Sequence, residues 1–214
     1  MIRPIRLYGD PVLRRPARNV SAFDDELREL ASDLIDTMLD ADGLGLAAPQ
    51  VGVSRRVFVV AGAAADERTE APEVTAAEHD GGSADEGPSL EEQIRSAMVF
   101  VNPVLEATRG RRVGIEGCLS LPGLYHEGVT RHEALRIRYQ DLDGDWHERE
   151  AEGRLAVVLQ HESDHLAGVL FLDRLPDEER YAFMDEHRAE LAQMQRDAKA
   201  LLRDGVAGAR SPDG

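Results

Sequence analysis

The chain has 214 residues, a single cysteine, and 41 acidic against 25 basic side chains, for a formal charge of −16. That length fits one domain with a full core, with or without appendages, and leaves too little chain for two complete domains. The acidic excess, with a pI near 4.8, excludes a surface that holds nucleic acid non-specifically, because phosphates would be repelled, and no direct DNA binding is expected.

The opening MIRPIRLYGDPVL holds no apolar run of signal-peptide length, and no membrane-spanning run of about eighteen apolar residues occurs anywhere. A soluble, cytoplasmic protein without membrane contact is the expectation. Over residues 24–40, Leu27, Leu30, Ala31, Leu34, Ile35, Met38 and Leu39 recur at the spacing of a helix with one buried face. Asp24 or Ser21 can cap its start, and Gly43 lies just past its end. The chain then enters GLGLAAPQVG, residues 43–52, whose glycines and small side chains predict a backbone that something approaches closely.

RVFVV at residues 56–60 leads into a stretch, residues 61–97, with ten acidic and two basic side chains, half of the chain's net charge. It has no aromatic residue and too little apolar surface to offset the entropy of ordering, so a mobile acidic surface insertion is expected there. SLEE at residues 89–92 can nonetheless cap a short helix. Extended segments follow at residues 98–107, 111–117 and 134–150. In the last, Leu135, Ile137 and Tyr139 alternate with polar neighbours and Asp143-Gly144 supplies a hairpin turn, an antiparallel pattern.

Helical spacing returns over residues 152–167, with Leu155, Val158, Leu159 and Leu166, and Gly168 closes that helix. A final helix of mixed charge is expected over residues 177–202, with Tyr181, Met184, Leu191 and Met194 along its inner face. The fold class is therefore α+β: a compact single domain with antiparallel strands around a central helix, plus a C-terminal helix. The expected division is a catalytic domain over residues 1–175 and a C-terminal helix with a disordered tail over residues 176–214.

Chemistry concentrates in QHESDH, residues 160–165. On a helix, His161 and His165 lie one turn apart on one face and can reach the same cation, with Glu162 beside its open side as a proton carrier. The apolar flanks Ala156, Val157, Val158, Leu159, Leu166 and Ala167 bury this helix, and buried imidazoles need partners, which a metal supplies. A metal that does chemistry usually has three protein ligands. Glu186 or Glu190 on the last helix would complete a peptidase-like zinc site, yet both belong to an evenly charged helix surface. Cys118 in EGCLSLPG, the only thiol, enclosed by Gly117, Leu119 and a proline turn at residues 121–123, would complete a site of two nitrogens and one sulfur, and it is the favoured third ligand.

GLGLAAPQ at residues 43–50, EGCLS at 116–120 and HESDH at 161–165, in that order, resemble the three signature motifs of the peptide deformylase family, and GDPVLRRPA at residues 9–17 is similar to that family's N-terminus. The resemblance spans roughly residues 3–60 and 98–175. It implies removal of the formyl group from the N-terminal formylmethionine of newly made polypeptides, with water activated on the metal attacking the formyl carbon. It also implies Cys118, His161 and His165 as metal ligands and Glu162 as general acid/base. The Gln50 side-chain amide and the Leu119 backbone N–H would donate to the developing oxyanion. Gly45 would offer its backbone to the substrate, while Leu44 and Val158 would line the methionine pocket. One divalent ion is implied, Fe(II) first, with Zn(II), Ni(II) or Co(II) as replacements. Formylated nascent peptides are the implied partners.

Two features depart from the family pattern besides the acidic insertion. Tyr125 stands where many relatives carry an arginine near the substrate backbone. Ribosome docking through a basic C-terminal helix, a mode of some relatives, is not supported here, since residues 177–214 hold nine acidic and six basic side chains. A silent, peptide-binding relative is a further alternative, and the intact Gln50, Cys118 and Glu162 argue against it.

Overall fold

The computed structural model describes residues 1–65 and 89–208. Of the expected acidic insertion, residues 66–88 lie outside the described residues, as do residues 209–214 of the expected C-terminal tail. The elements in chain order are α1 (Asp25–Asp40), β1 (Gly45–Ala47), β2 (Val57–Val60), α2 (Leu90–Ser96), β3 (Met98–Arg109), β4 (Arg112–Cys118), β5 (Leu121–Arg131), β6 (Ala134–Gln140), β7 (Trp146–Glu152), α3 (Gly153–Ala167), α4 (Asp177–Glu186) and α5 (Arg188–Gly208). The fold is α+β with antiparallel strands and C-terminal helices, as the sequence pattern implied.

Of the two candidate caps, Asp24 starts α1, its carboxylate accepting from the Leu27 N–H at 3.1 Å. The exit of α1 takes its left-handed residue at Asp42, φ +51°, and the Gly43 N–H then closes on the Met38 carbonyl at 2.8 Å. The SLEE stretch forms a capping box: Ser89 Oγ accepts from the Glu92 N–H and Glu92 Oε2 accepts from the Ser89 N–H, which starts α2.

Five strands form one antiparallel sheet in the order β1-β2-β3-β6-β7, and β4 and β5 form a separate hairpin. β2 is buried along its whole length because both its faces are covered. Val57 and Val59 pack with Leu27, Leu30, Leu34 and Met38 of α1, whereas Phe58 and Val60 pack with Leu155, Ala156 and Leu159 of α3. The sheet is thus a layer between two helices at its β1–β2–β3 end. α3 is the central helix and stops where Gly168 takes φ +77°. A third cluster joins β5, Leu170–Leu172, Leu175, Phe183 of α4 and Leu191 and Met194 of α5.

Two local expectations are corrected. The turn after Cys118 is made by Leu119 and Ser120, and Leu121 already pairs with Cys118 across the hairpin, so residues 121–123 open β5 instead of forming a proline turn. The single C-terminal helix is two helices meeting at His187. No proline or glycine marks that break. It accompanies burial of Phe183, whose ring lies edge-on to Phe171 and His187, while Tyr181, expected on the inner face, is exposed. Among the described residues, no helix is long and apolar enough to cross a membrane.

Candidate active site

Three separate elements deliver the reactive side chains to one place. α3 sets His161 and His165 on one face with their Nε2 atoms 3.2 Å apart. β4 ends at Cys118, whose Sγ lies 3.2 Å from His165 Nε2. The three donor atoms lie within 4.8 Å of one another. Two imidazole nitrogens and a sulfur converge here with too few protons to link every pair, and a cation between them would satisfy all three at once. The donor set suits a borderline divalent metal and leaves a fourth position open. Glu186 and Glu190 are exposed on α4 and α5 and are not part of this group, so the peptidase-like ligand set does not form.

A buried polar chain stands behind the ligands. His161 Nδ1 lies 2.9 Å from Glu116 Oε2, which leaves Nε2 for the metal and fixes the ring. Arg131 grips Glu116 through Nε (2.6 Å) and a terminal nitrogen (2.9 Å), and its other terminal nitrogen reaches Asp164 at 2.6 Å. Arg174 closes the far side of Asp164. Burial alone would raise the Glu116 pKa, but Arg131 and His161 hold it down to about 2, so it stays ionised. Burial also disfavours charge on both imidazoles. The bonds to Cys118 and Glu116 nevertheless lift His161 well above the ordinary histidine value, while His165 stays well below it. Sequence reasoning gave Glu116, Arg131 and Asp164 no role. Glu116 and Asp164 lie within EGCLS and HESDH, but nothing in the sequence joins them to an arginine on β5.

Glu162, next to His161 on α3, is 3% exposed, and burial pushes its carboxyl up to about 7. Among the described residues, its Oε2 has no hydrogen-bond partner. Gly45 leaves room for it: a Cβ there would meet Glu162 Oε1 at 2.5 Å and its Cδ and Cγ at 2.8 Å. β1 is the edge strand of the sheet. The Leu44 carbonyl accepts from Ala61 N–H on the β2 side, so by strand alternation the N–H and C=O of Gly45 and Ala47 face the open edge. The Ala47 N–H is taken by Gln50 Oε1 at 2.8 Å, which leaves the half-buried Gly45 as the pairing position on that edge among the described residues.

Gln50 is 1% exposed, and its Nε2 points to Cys118 Sγ at 3.6 Å and Ser120 Oγ at 3.3 Å. Leu119 follows Cys118 in the hairpin turn with its side chain against the α1 cluster. Leu44 and Val158 pack against the same α3 cluster. Tyr125 is exposed, with its ring lying where a Gly117 side chain would be, 2.4 Å from the Cβ position.

The polypeptide deformylase family model matches residues 2–181. A peptide deformylase of Thermus thermophilus is 48% identical over 204 residues, covering 95% of this chain and 98% of its own length. A crystal structure of peptide deformylase from Thermus thermophilus superposes with a TM-score of 0.77 at 45% identity, covering 92% of this chain and 99% of that one. A Legionella pneumophila peptide deformylase structure gives 0.70 at 33% identity over 99% of this chain and 100% of that one. With this match over nearly its full length and a Cys-His-His group able to hold a metal, the chain belongs to the peptide deformylase family, metal-dependent hydrolases that remove the N-terminal formyl group of nascent peptides.

Proposed function

We propose that Cys118, His161 and His165 hold one Fe(II) ion, replaceable by Zn(II), Ni(II) or Co(II), and that deformylation proceeds at this centre in the cytoplasm. The observation that carries the reading is the convergence of the three donors within 4.8 Å, with the buried Glu162 next to His161 in the chain. A divalent ion there supplies Lewis acidity, activating water near neutral pH. The protein's own residues do the rest. The nascent peptide pairs as an extended strand with Gly45, whose backbone faces the open edge of β1. Its methionine side chain enters between Leu44 and Val158, which flank the same apolar cluster.

Glu162, with its pKa raised to about 7, takes a proton from the attacking water. It hands that proton to the amine nitrogen as the C–N bond breaks and formate leaves. The Gln50 Nε2 and Leu119 N–H groups donate to the oxyanion, which exists only in the transition state and the tetrahedral intermediate, so they lower the barrier more than they tighten binding. Residues 1–175 form the catalytic unit in this reading. The acidic balance of residues 177–214 offers no counterion-release drive toward RNA, so contact with the ribosome would not run through them, and the charge of −16 disfavours DNA.

Anaerobically prepared, Fe(II)-loaded protein should release formate from a formyl-Met peptide. Glu162→Ala should abolish turnover while keeping the metal, and Gln50→Ala should lower kcat by about 10² to 10³ with little change in KM. No formate with iron confirmed in place would overturn the reading.

A further inference from the structure

The sense of the Gln50 amide is fixed by its surroundings. The Ala47 N–H can be met only by an oxygen, so the end of the side chain 2.8 Å from it is Oε1. The NH₂ end is thereby turned toward the hairpin, where Ser120 Oγ lies at 3.3 Å and Cys118 Sγ at 3.6 Å. Ser120 is fully buried, and its backbone is anchored separately, its carbonyl accepting from Tyr8 N–H at 2.9 Å. Gln50 is the one hydrogen-bond partner of the Ser120 hydroxyl among the described residues.

An amide nitrogen carries two hydrogens in one plane. With Oε1 held by Ala47 and one hydrogen held by Ser120, the remaining hydrogen has a fixed direction, toward the side on which Cys118 Sγ stands. We infer that Ser120 is a positioning residue for Gln50, its hydroxyl engaging one N–H so that the other is pre-aimed at the formyl oxygen. This rests on the reading of Gln50 as an oxyanion donor. Without the Ser120 acceptor, the amide is held, among the described residues, only by the Ala47 bond and the long contact to Cys118 Sγ, so its last torsion is looser and must be ordered during the reaction. The cost falls on the transition state, because the oxyanion exists only from that point on.

The test is a double-mutant cycle on metal-loaded protein, with metal content and thermal midpoint recorded for every variant. Ser120→Ala should lower kcat about tenfold, less than loss of the donor itself, with KM and metal content unchanged. In the Gln50→Ala background it should have no further effect, because the residue it positions is gone. Independently of turnover, the two side-chain N–H resonances of Gln50 in zinc-loaded protein should shift and exchange faster in Ser120→Ala, and Ser120→Thr, which keeps the hydroxyl, should restore them. If Ser120→Ala does not fold, Ser120→Cys, of similar volume but a weak acceptor, takes its place with the same expectations. An unchanged kcat, or an equal loss in both backgrounds, would overturn the inference. An unchanged kcat in Gln50→Ala alone would overturn the reading beneath it.

Discussion

A methyl group at Gly45 would sit 2.5 Å from the end of the Glu162 side chain, not against backbone. That distinction decides what a substitution does. Glu162 ends in a flexible carboxylate that can move aside, so Gly45→Ala should leave the thermal midpoint within a few degrees of the parent. The displaced carboxylate would no longer reach the attacking water, and a misplacement of about 1 Å can cost on the order of 10² in rate. The expected outcome is a loss of kcat on that order with metal content intact, measured by formate release beside a thermal melt. A large drop in midpoint with activity per folded molecule retained would mean that Gly45 is needed for the fold and not for Glu162. The sequence pattern marked Gly45 for close approach and left the visitor unnamed, because Glu162 lies on a different element and no periodicity links the two. The metal ligands were more legible: the histidine pair is a local pattern on one helix, and Cys118 is the only thiol.

Between elements, one buried arginine joins both strands of the hairpin β4–β5 to α3, alongside the His161–Glu116 bond. Arg131 on β5 holds Glu116 on β4 and Asp164 on α3, with all three side chains under 10% exposed. Removing it leaves Glu116 with only His161 and Asp164 with only Arg174 as partners in the interior among the described residues, and breaking a buried pair from one side typically costs about 3–5 kcal/mol. Arg131→Met should therefore lower the urea midpoint strongly. It should also weaken metal binding by about 10- to 100-fold, since Glu116 would no longer be fixed against His161. Arg174→Ala should do much less, because Asp164 keeps Arg131 and the Arg174 side chain is 46% exposed. Equal effects from the two would place the joint elsewhere. Cys118 at the end of β4 was legible as a partner of the α3 histidines, but the Arg131 link was not, since β5 is written LPGLYHEGVTR, with a proline and two glycines that mimic a loop. The break at His187 was hidden for the opposite reason: the helical pattern is continuous across it, and packing of Phe183 overrides propensity.

For the whole molecule, the three signature stretches were legible in order, yet only the layered packing explains why they meet. β1 at the sheet edge, the turn after Cys118 and the inner face of α3 are brought together because β2 is apolar on both faces and draws a helix to each. The same molecule carries a net charge of −16, and salt acts on it in two opposed ways. On the outer face of the sheet, Arg109 pairs with Glu150 and Glu152, and Arg136 with Glu106 and Glu148. Screening weakens such pairs, but every member is at least a third exposed, and pairs of that kind are each worth about 0–1 kcal/mol. Screening also relieves the repulsion among the excess carboxylates, which is felt more in the compact state than in the expanded one. Raising the ionic strength from about 0.01 to 0.15 M shortens the screening length from about 30 Å to about 8 Å, from beyond the radius of such a domain to well within it. The long-range term should therefore dominate, and the thermal midpoint should rise by several degrees over that range of sodium chloride. A falling midpoint would show that the cross-strand pairs contribute more than their exposure implies. Neutralising Glu106, which serves two arginines, should then reduce the fall.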